Sequence, residues 1–186
     1  MKKVNSKFYK PSVGAPEELE IQTSTLRLSA KCWGNPEGIP LLAFHGWLDN
    51  AATFDYLAPL LTEFRLVSLD LPGHGLSDHR PSGSSYHFTD VIVDVLEVIH
   101  VLGWDHFSLL GHSMGAGIAS YLAGTIPEKI RFVILIEGLG SMVLKVEKMP
   151  ENLRESSRQW LQLSKKNLPL YPDEETAVKV RHHVGG

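Results

Sequence analysis

The string Gly111-His112-Ser113-Met114-Gly115 sets a serine between two glycines, each two residues away. A serine hydroxyl is a weak nucleophile until a neighbouring base takes its proton, so what matters is how the chain presents it. The string follows the apolar run Phe107-Ser108-Leu109-Leu110 and precedes a helix-forming stretch from Ala116, the strand-turn-helix setting in which G-x-S-x-G forms a nucleophile elbow. On such a turn the serine backbone is strained and its hydroxyl stands above the sheet. Side chains at 111 and 115 would collide with neighbouring backbone. The start of the following helix adds the positive end of its dipole, and Gly117 is expected to let that helix lie close to the sheet.

The rest of the chain reads as the scaffold such a turn needs. Residues 18–23 and 26–33 alternate apolar and polar, as half-buried antiparallel strands do. Residues 40–44 (PLLAF) and 65–69 (RLVSL) are short, nearly continuous apolar runs, expected of parallel strands covered on both faces. Residues 51–61 lie between them as a shorter candidate element. In 90–102 (DVIVDVLEVIHVL) the β-branched residues suggest a strand, but Asp90, Asp94, Glu97 and His100 recur every three to four residues. We read a helix with a narrow wet stripe. Strand 105–110, helix 113–126 stopped by Pro127, and strand 131–136 follow. This alternation predicts an α/β fold with a mostly parallel sheet and helices on both faces.

After Gly140 the composition shifts: no glycine falls between Ser141 and Val184, and the stretch is rich in charge and helix formers. Leu153, Trp160, Leu161 and Leu168 can share one helix face. Pro172 and three acidic residues open a second helix whose last turn holds Lys179, Arg181, His182 and His183. At the other end, residues 1–16 show no period and carry two prolines, as a loosely ordered lead-in would.

Eighteen basic against 21 acidic residues leave a net charge of −3, which supplies no electrostatic footprint for nucleic acid. No apolar run is long enough to span a membrane, and no apolar stretch follows the two N-terminal lysines as in a secretory signal. The single Cys32 excludes an intramolecular disulfide framework and fits a reducing, cytoplasmic location. His74, Asp78 and His79 lack a further spaced ligand, so no metal site is expected; His74 and Asp78 are read as local braces of their loop. Neither G-x-G-x-x-G nor a Walker lysine follows a strand, which argues against nucleotide binding. The residues specify no oligomeric state.

Three segments together, FHGWLDNAATF (44–54), DLPGHGLSD (70–78) and LLGHSMGAG (109–117), resemble the oxyanion loop, the loop after the next strand and the nucleophile elbow of the α/β-hydrolase superfamily. Within it the chain is most similar to the serine hydrolase-like proteins, and the likeness runs over residues 18–186. It implies an α/β-hydrolase core over 17–140 and an incomplete helical cap segment over 141–186. The implied activity is hydrolysis of a carboxylic ester or similar small acyl substrate through an acyl-serine intermediate, with no cofactor.

Carried onto this sequence, the resemblance makes Ser113 the nucleophile and the N–H groups of Trp47 and Met114 the oxyanion hole. His45 and Gly46 support the oxyanion loop, and Gly111, His112 and Gly115 support the elbow. Trp47, Met114 and Trp160 are candidates for an apolar acyl pocket. The triad order Ser, Asp or Glu, His requires the base to follow Ser113, where only His182 and His183 stand, both read as solvated residues of a helix end. The triad acid and histidine are therefore expected beyond residue 186, with the last strands of the fold, and the 186-residue chain is expected to be inactive by itself. Glu137, directly after strand 131–136, is a weaker candidate for the acid. The competing reading is a non-catalytic short product or pseudo-enzyme that at most binds acyl ligands.

Overall fold

A computed structural model of the chain describes residues 15–140, 146–163 and 171–184. Six strands, β1 (Glu17–Gln22), β2 (Arg27–Trp33), β3 (Ile39–Phe44), β4 (Phe64–Leu69), β5 (Phe107–His112) and β6 (Ile130–Ile136), form one sheet in the order β1-β2-β4-β3-β5-β6. β1, β2 and β4 pair antiparallel; β3 pairs parallel with both β4 and β5, and β5 with β6. The doubly covered interior strands β3 and β5 are the ones whose sequences are apolar without alternation, since both faces need apolar cover.

The two-residue period of the strands sends their side chains to two cores. Leu42 and Phe44 of β3, Val67 and Leu69 of β4, and Phe107 and Leu109 of β5 join the core shared with helices α1 (Phe88–Leu102) and α2 (Met114–Thr125). Leu41, Ala43, Leu66 and Leu110 point the other way and pack with Trp33, Phe54 and Ala58. The segment 51–61 that covers this second face contains no α-helix: it forms two short 3-10 turns, Ala51–Phe54 and Ala58–Leu60, with Pro59 inside the second. Their carbonyls find local partners, and Ser68 Oγ, buried in β4, donates to the Ala51 carbonyl at 2.9 Å.

The helix over 90–102 starts two residues earlier than its polar spacing indicated and ends on Gly103, whose φ of 67° closes it in the left-handed region. Its wet stripe is corrected in one place. Asp94 is buried, because Arg80 from the preceding loop pairs with it. Burial pushes the Asp94 carboxyl above its ordinary value while the Arg80 guanidinium opposes the shift. The same guanidinium lies 5.8 Å from the Tyr86 ring centre.

β5 begins and ends two residues later than the apolar run suggested, so that His112 is its last residue and Ser113 alone separates it from α2. Among the described residues β6 pairs only with β5, and its Phe132, Ile134 and Ile136 are 40%, 39% and 37% exposed. The chain divides into two compact units, 1–142 and 143–186. The second holds α3 (Met149–Leu163) and α4 (Glu174–Val184). Asp173 begins α4 by accepting the Thr176 N–H at 2.7 Å. Leu153 and Leu161 of α3 are exposed, whereas Leu168 and the Trp160 side chain lie outside the described residues. No helix among the described residues is long and apolar enough to cross a membrane.

Candidate functional site

Ser113 sits at φ 51° and ψ −113°, a backbone conformation that L residues rarely adopt. It is held there from both sides. Its N–H donates to the Ile136 carbonyl at the end of β6 (2.9 Å), and its carbonyl accepts from the N–H groups of Ala116 (3.0 Å) and Gly117 (3.3 Å) in the first turn of α2. The flanking glycines are required by space. A Cβ on Gly115 would lie 2.8 Å from the His45 carbonyl and overlap that of Phe44; one on Gly111 would lie 2.6 Å from the Ala116 Cα. The close approach of α2 to the sheet is thus made by Gly115. Gly117, expected to serve that purpose, faces Phe88 and the Gly140 carbonyl instead.

The loop after β3 carries His45, Gly46 and Trp47. His45 is fully buried. Its Nε2 accepts the Leu71 N–H (3.1 Å), and a backbone N–H can only donate; Nδ1 therefore carries the proton and donates to the Gly46 carbonyl (2.8 Å). Burial pushes this imidazole below its ordinary value, with the Gly46 carbonyl opposing and His74, whose ring centre is 5.0 Å away, adding to the shift. A neutral ring with one tautomer thereby ties the β3 loop to the β4 loop. Gly46 in turn has His112 and Ser113 against it: a Cβ there would be 3.1 Å from His112 Nδ1 and 3.5 Å from the Ser113 Cβ. Among the described residues, no acceptor takes the backbone N–H of Trp47 or Met114.

Asp70, which the motif reading passed over, organises this end of the sheet. Its buried carboxylate accepts the Ala51 N–H at 2.6 Å through Oδ1 and the Leu76 N–H at 2.9 Å through Oδ2, joining the loops after β3 and β4. Gly75 must be a glycine at φ 52° because a Cβ would overlap this carboxyl group. An acid directly after an apolar strand, followed by two glycines, was the available signal. The neighbouring residues brace the same loop: His74 Nδ1 lies 3.1 Å from the Pro72 carbonyl, and Asp78 accepts from both the backbone and the guanidinium of Arg27 at 3.0 Å. Among the described residues no three His, Cys, Asp or Glu side chains converge as metal ligands would.

Ser113, Met114, Trp47 and Glu137 line one cleft of about 690 Å³, together with Phe88 and Leu139. Glu137 also has a left-handed backbone (φ 53°) and directs its carboxylate to His112 Nε2 at 3.5 Å. That carboxylate is 79% exposed, so it does not bear the cost of an unpaired buried charge. The structure therefore brings together the serine, both candidate N–H donors and Glu137. His182 and His183 belong to α4 in the second unit.

The model of the alpha/beta hydrolase fold family matches residues 39–177, three quarters of the chain. The chain belongs to this family. Among its relatives, this α/β-hydrolase is 46% identical over 128 residues to a serine hydrolase-like protein of Dictyostelium discoideum, covering 67% of this chain and 36% of the relative. It is 38% identical over 149 residues to one of Danio rerio, covering 80% and 46%. A crystal structure of a hypothetical protein from Pseudomonas aeruginosa superposes with a TM-score of 0.85 at 45% identity, covering 91% of this α/β-hydrolase and 60% of that chain. The thioesterase domain from the curacin biosynthetic pathway gives 0.78 at 29% identity, covering 92% and 63%. The chain thus spans less than two thirds of the length of each of these relatives.

Proposed function

We propose that Ser113 is the nucleophile of a serine hydrolase that cleaves a carboxylic ester or similar acyl compound. The observation that carries this reading is the strained Ser113 backbone between β5 and α2, lining a cleft beside two N–H groups that find no acceptor among the described residues. Ser113 Oγ attacks the acyl carbon while its proton passes to a histidine base. The carbonyl oxygen, now an oxyanion, takes hydrogen bonds from Trp47 and Met114, each worth about 3–4 kcal/mol in the transition state. Collapse expels the alcohol with the histidine proton and leaves an acyl-serine; water, deprotonated by the same histidine, then releases the acid.

In this proposal the base and its acid belong to polypeptide beyond residue 186, in keeping with the greater length of the relatives, and 141–186 forms part of a cap. Glu137 holds His112 rather than the base. The name serine hydrolase-like borne by two relatives and the thioesterase likeness support an acyl substrate.

The test compares the 186-residue chain, a chain extended to the length of the relatives, and the extended chain carrying Ser113→Ala, each with p-nitrophenyl butanoate. A burst and turnover in the extended chain, lost in Ser113→Ala, is the expected result. Turnover by the 186-residue chain that depends on Ser113 would overturn the placement of the base. An extended chain with no acyl adduct on Ser113 would favour the non-catalytic reading.

A further inference from the structure

Glu137 is the one charged residue among the described residues that line the cleft, and its place relative to Ser113 is fixed from both sides. The residue before it, Ile136, accepts the Ser113 N–H through its carbonyl at 2.9 Å. The residue after it, Gly138, lies so close to the elbow that a Cβ there would stand 2.9 Å from both the Ser113 carbonyl and the Ala116 Cβ. A carboxylate is thereby carried beside the candidate nucleophile on backbone that is tied to it. The φ of 53° at this position disfavours any residue but glycine, yet the chain places an acid there.

This carboxylate is open to a ligand. Its side chain is 79% exposed, and its contact with His112 Nε2, at 3.5 Å, is longer than an ordinary hydrogen bond, so its oxygens keep free acceptor positions. No Lys or Arg stands among the described lining residues to neutralise it. Two of the other lining side chains are the rings of Trp47, 65% exposed, and Phe88. The face of an aromatic ring attracts a cation through its quadrupole, and quaternary ammonium groups are recognised in this way. A carboxylate, two rings and no competing cation favour an alkylammonium group on the ligand and disfavour a second carboxylate.

We infer that Glu137 is a specificity-determining residue and that the cleft selects acyl compounds carrying an alkylammonium group over neutral or anionic ones. The inference rests on the reading of Ser113 as the nucleophile, which makes this cleft the substrate site. Because the carboxylate is solvated, the selection is modest, about fivefold over a neutral ligand of the same shape.

The test uses amides, whose binding requires no turnover, titrated by NMR against the 186-residue chain and its Glu137→Gln variant, with folding checked by circular dichroism. One matched pair, 4-(trimethylammonio)butanamide and 5,5-dimethylhexanamide, carries the cation or its neutral isostere on the acyl side. A second pair, N-(2-trimethylammonioethyl)acetamide and N-(3,3-dimethylbutyl)acetamide, carries it on the leaving-group side, and 4-carbamoylbutanoate is the anionic ligand. The charged member is expected to bind about fivefold more tightly in at least one pair, which then shows the side on which the cation sits, and the anion is expected to bind most weakly. Glu137→Gln is expected to bring each pair within about twofold, as is about 1 M salt acting on the parent. Should Glu137→Gln fail to fold, the salt dependence of the parent decides. Equal binding within both pairs, tighter binding of the anion, or a preference that Glu137→Gln retains would overturn the inference. A preference lost in Glu137→Gln, in a protein without Ser113-dependent hydrolysis, would retain the cation selection and reject the nucleophile; Ser113-dependent hydrolysis with no preference in either pair would do the reverse.

Discussion

His45 and Leu71 are joined by a hydrogen bond in which the backbone N–H of Leu71 donates to the imidazole Nε2 at 3.1 Å, 26 residues along the chain and just past the adjacent end of the neighbouring parallel strand β4. The bond exists only while the imidazole is neutral. Its titration must therefore register in the stability of both loops.

The sign follows from burial, which holds the folded-state value of His45 below the ordinary 6.5. Between the two values the unfolded chain binds a proton that the folded chain does not. The contribution of His45 is thus fully present above about pH 6.5 and is lost as the pH falls towards the folded value. Urea denaturation of the parent and of His45→Gln at about pH 8 and about pH 5 checks this. The parent is expected to lose more stability on acidification than the variant; equal losses would show that the other histidines carry the effect.

Strain at Ser113 leads to a different expectation. With φ 51° and ψ −113°, the residue pays a conformational cost that glycine would not. Ser113→Gly is expected to raise the unfolding free energy by about 1 kcal/mol, and Ser113→Ala to leave it unchanged. Both remove the hydroxyl, so thermal denaturation of the pair isolates the backbone from the side chain.

Asp70, itself buried, holds two backbone N–H groups, that of the buried Ala51 and that of Leu76 on the loop after β4. Asp70→Ala is expected to cost about 3 kcal/mol, as two donors lose a charged acceptor. Asp70→Asn, which keeps one carbonyl oxygen, is expected to cost less. Chemical denaturation gives the ranking, and hydrogen exchange at Ala51 and Leu76 reports whether the loss is local.

Much of the scaffold was legible because it depends on local pattern. The apolar runs of β3 and β4, the three-to-four spacing in α1, and Pro127 after α2 are each read within a dozen residues. The elbow was legible for the same reason: Gly111, Ser113 and Gly115 lie on one turn, and the steric need for glycine is set by backbone at fixed offset. Asp94 was misplaced because its burial depends on Arg80, which approaches from a loop whose path the helix period does not encode. Segment 51–61 gave no helix because Asn50 and Pro59 start two separate short turns, the first capped by Asn50 Oδ1 on the Ala52 N–H.

The sequence by itself determined which residues are compatible with a strained serine turn, and which segments are apolar enough to form a doubly covered sheet. Only the tertiary structure decided what those residues face. Gly117 borders the cleft rather than the sheet, Glu137 meets His112, and Asp70 bridges loops 19 and six residues away. The physical reason is that spacing along a chain reports a residue's own turn or face. Contacts between the ends of adjacent strands depend on the order in which β4, β3, β5 and β6 lie side by side, a property of the whole sheet.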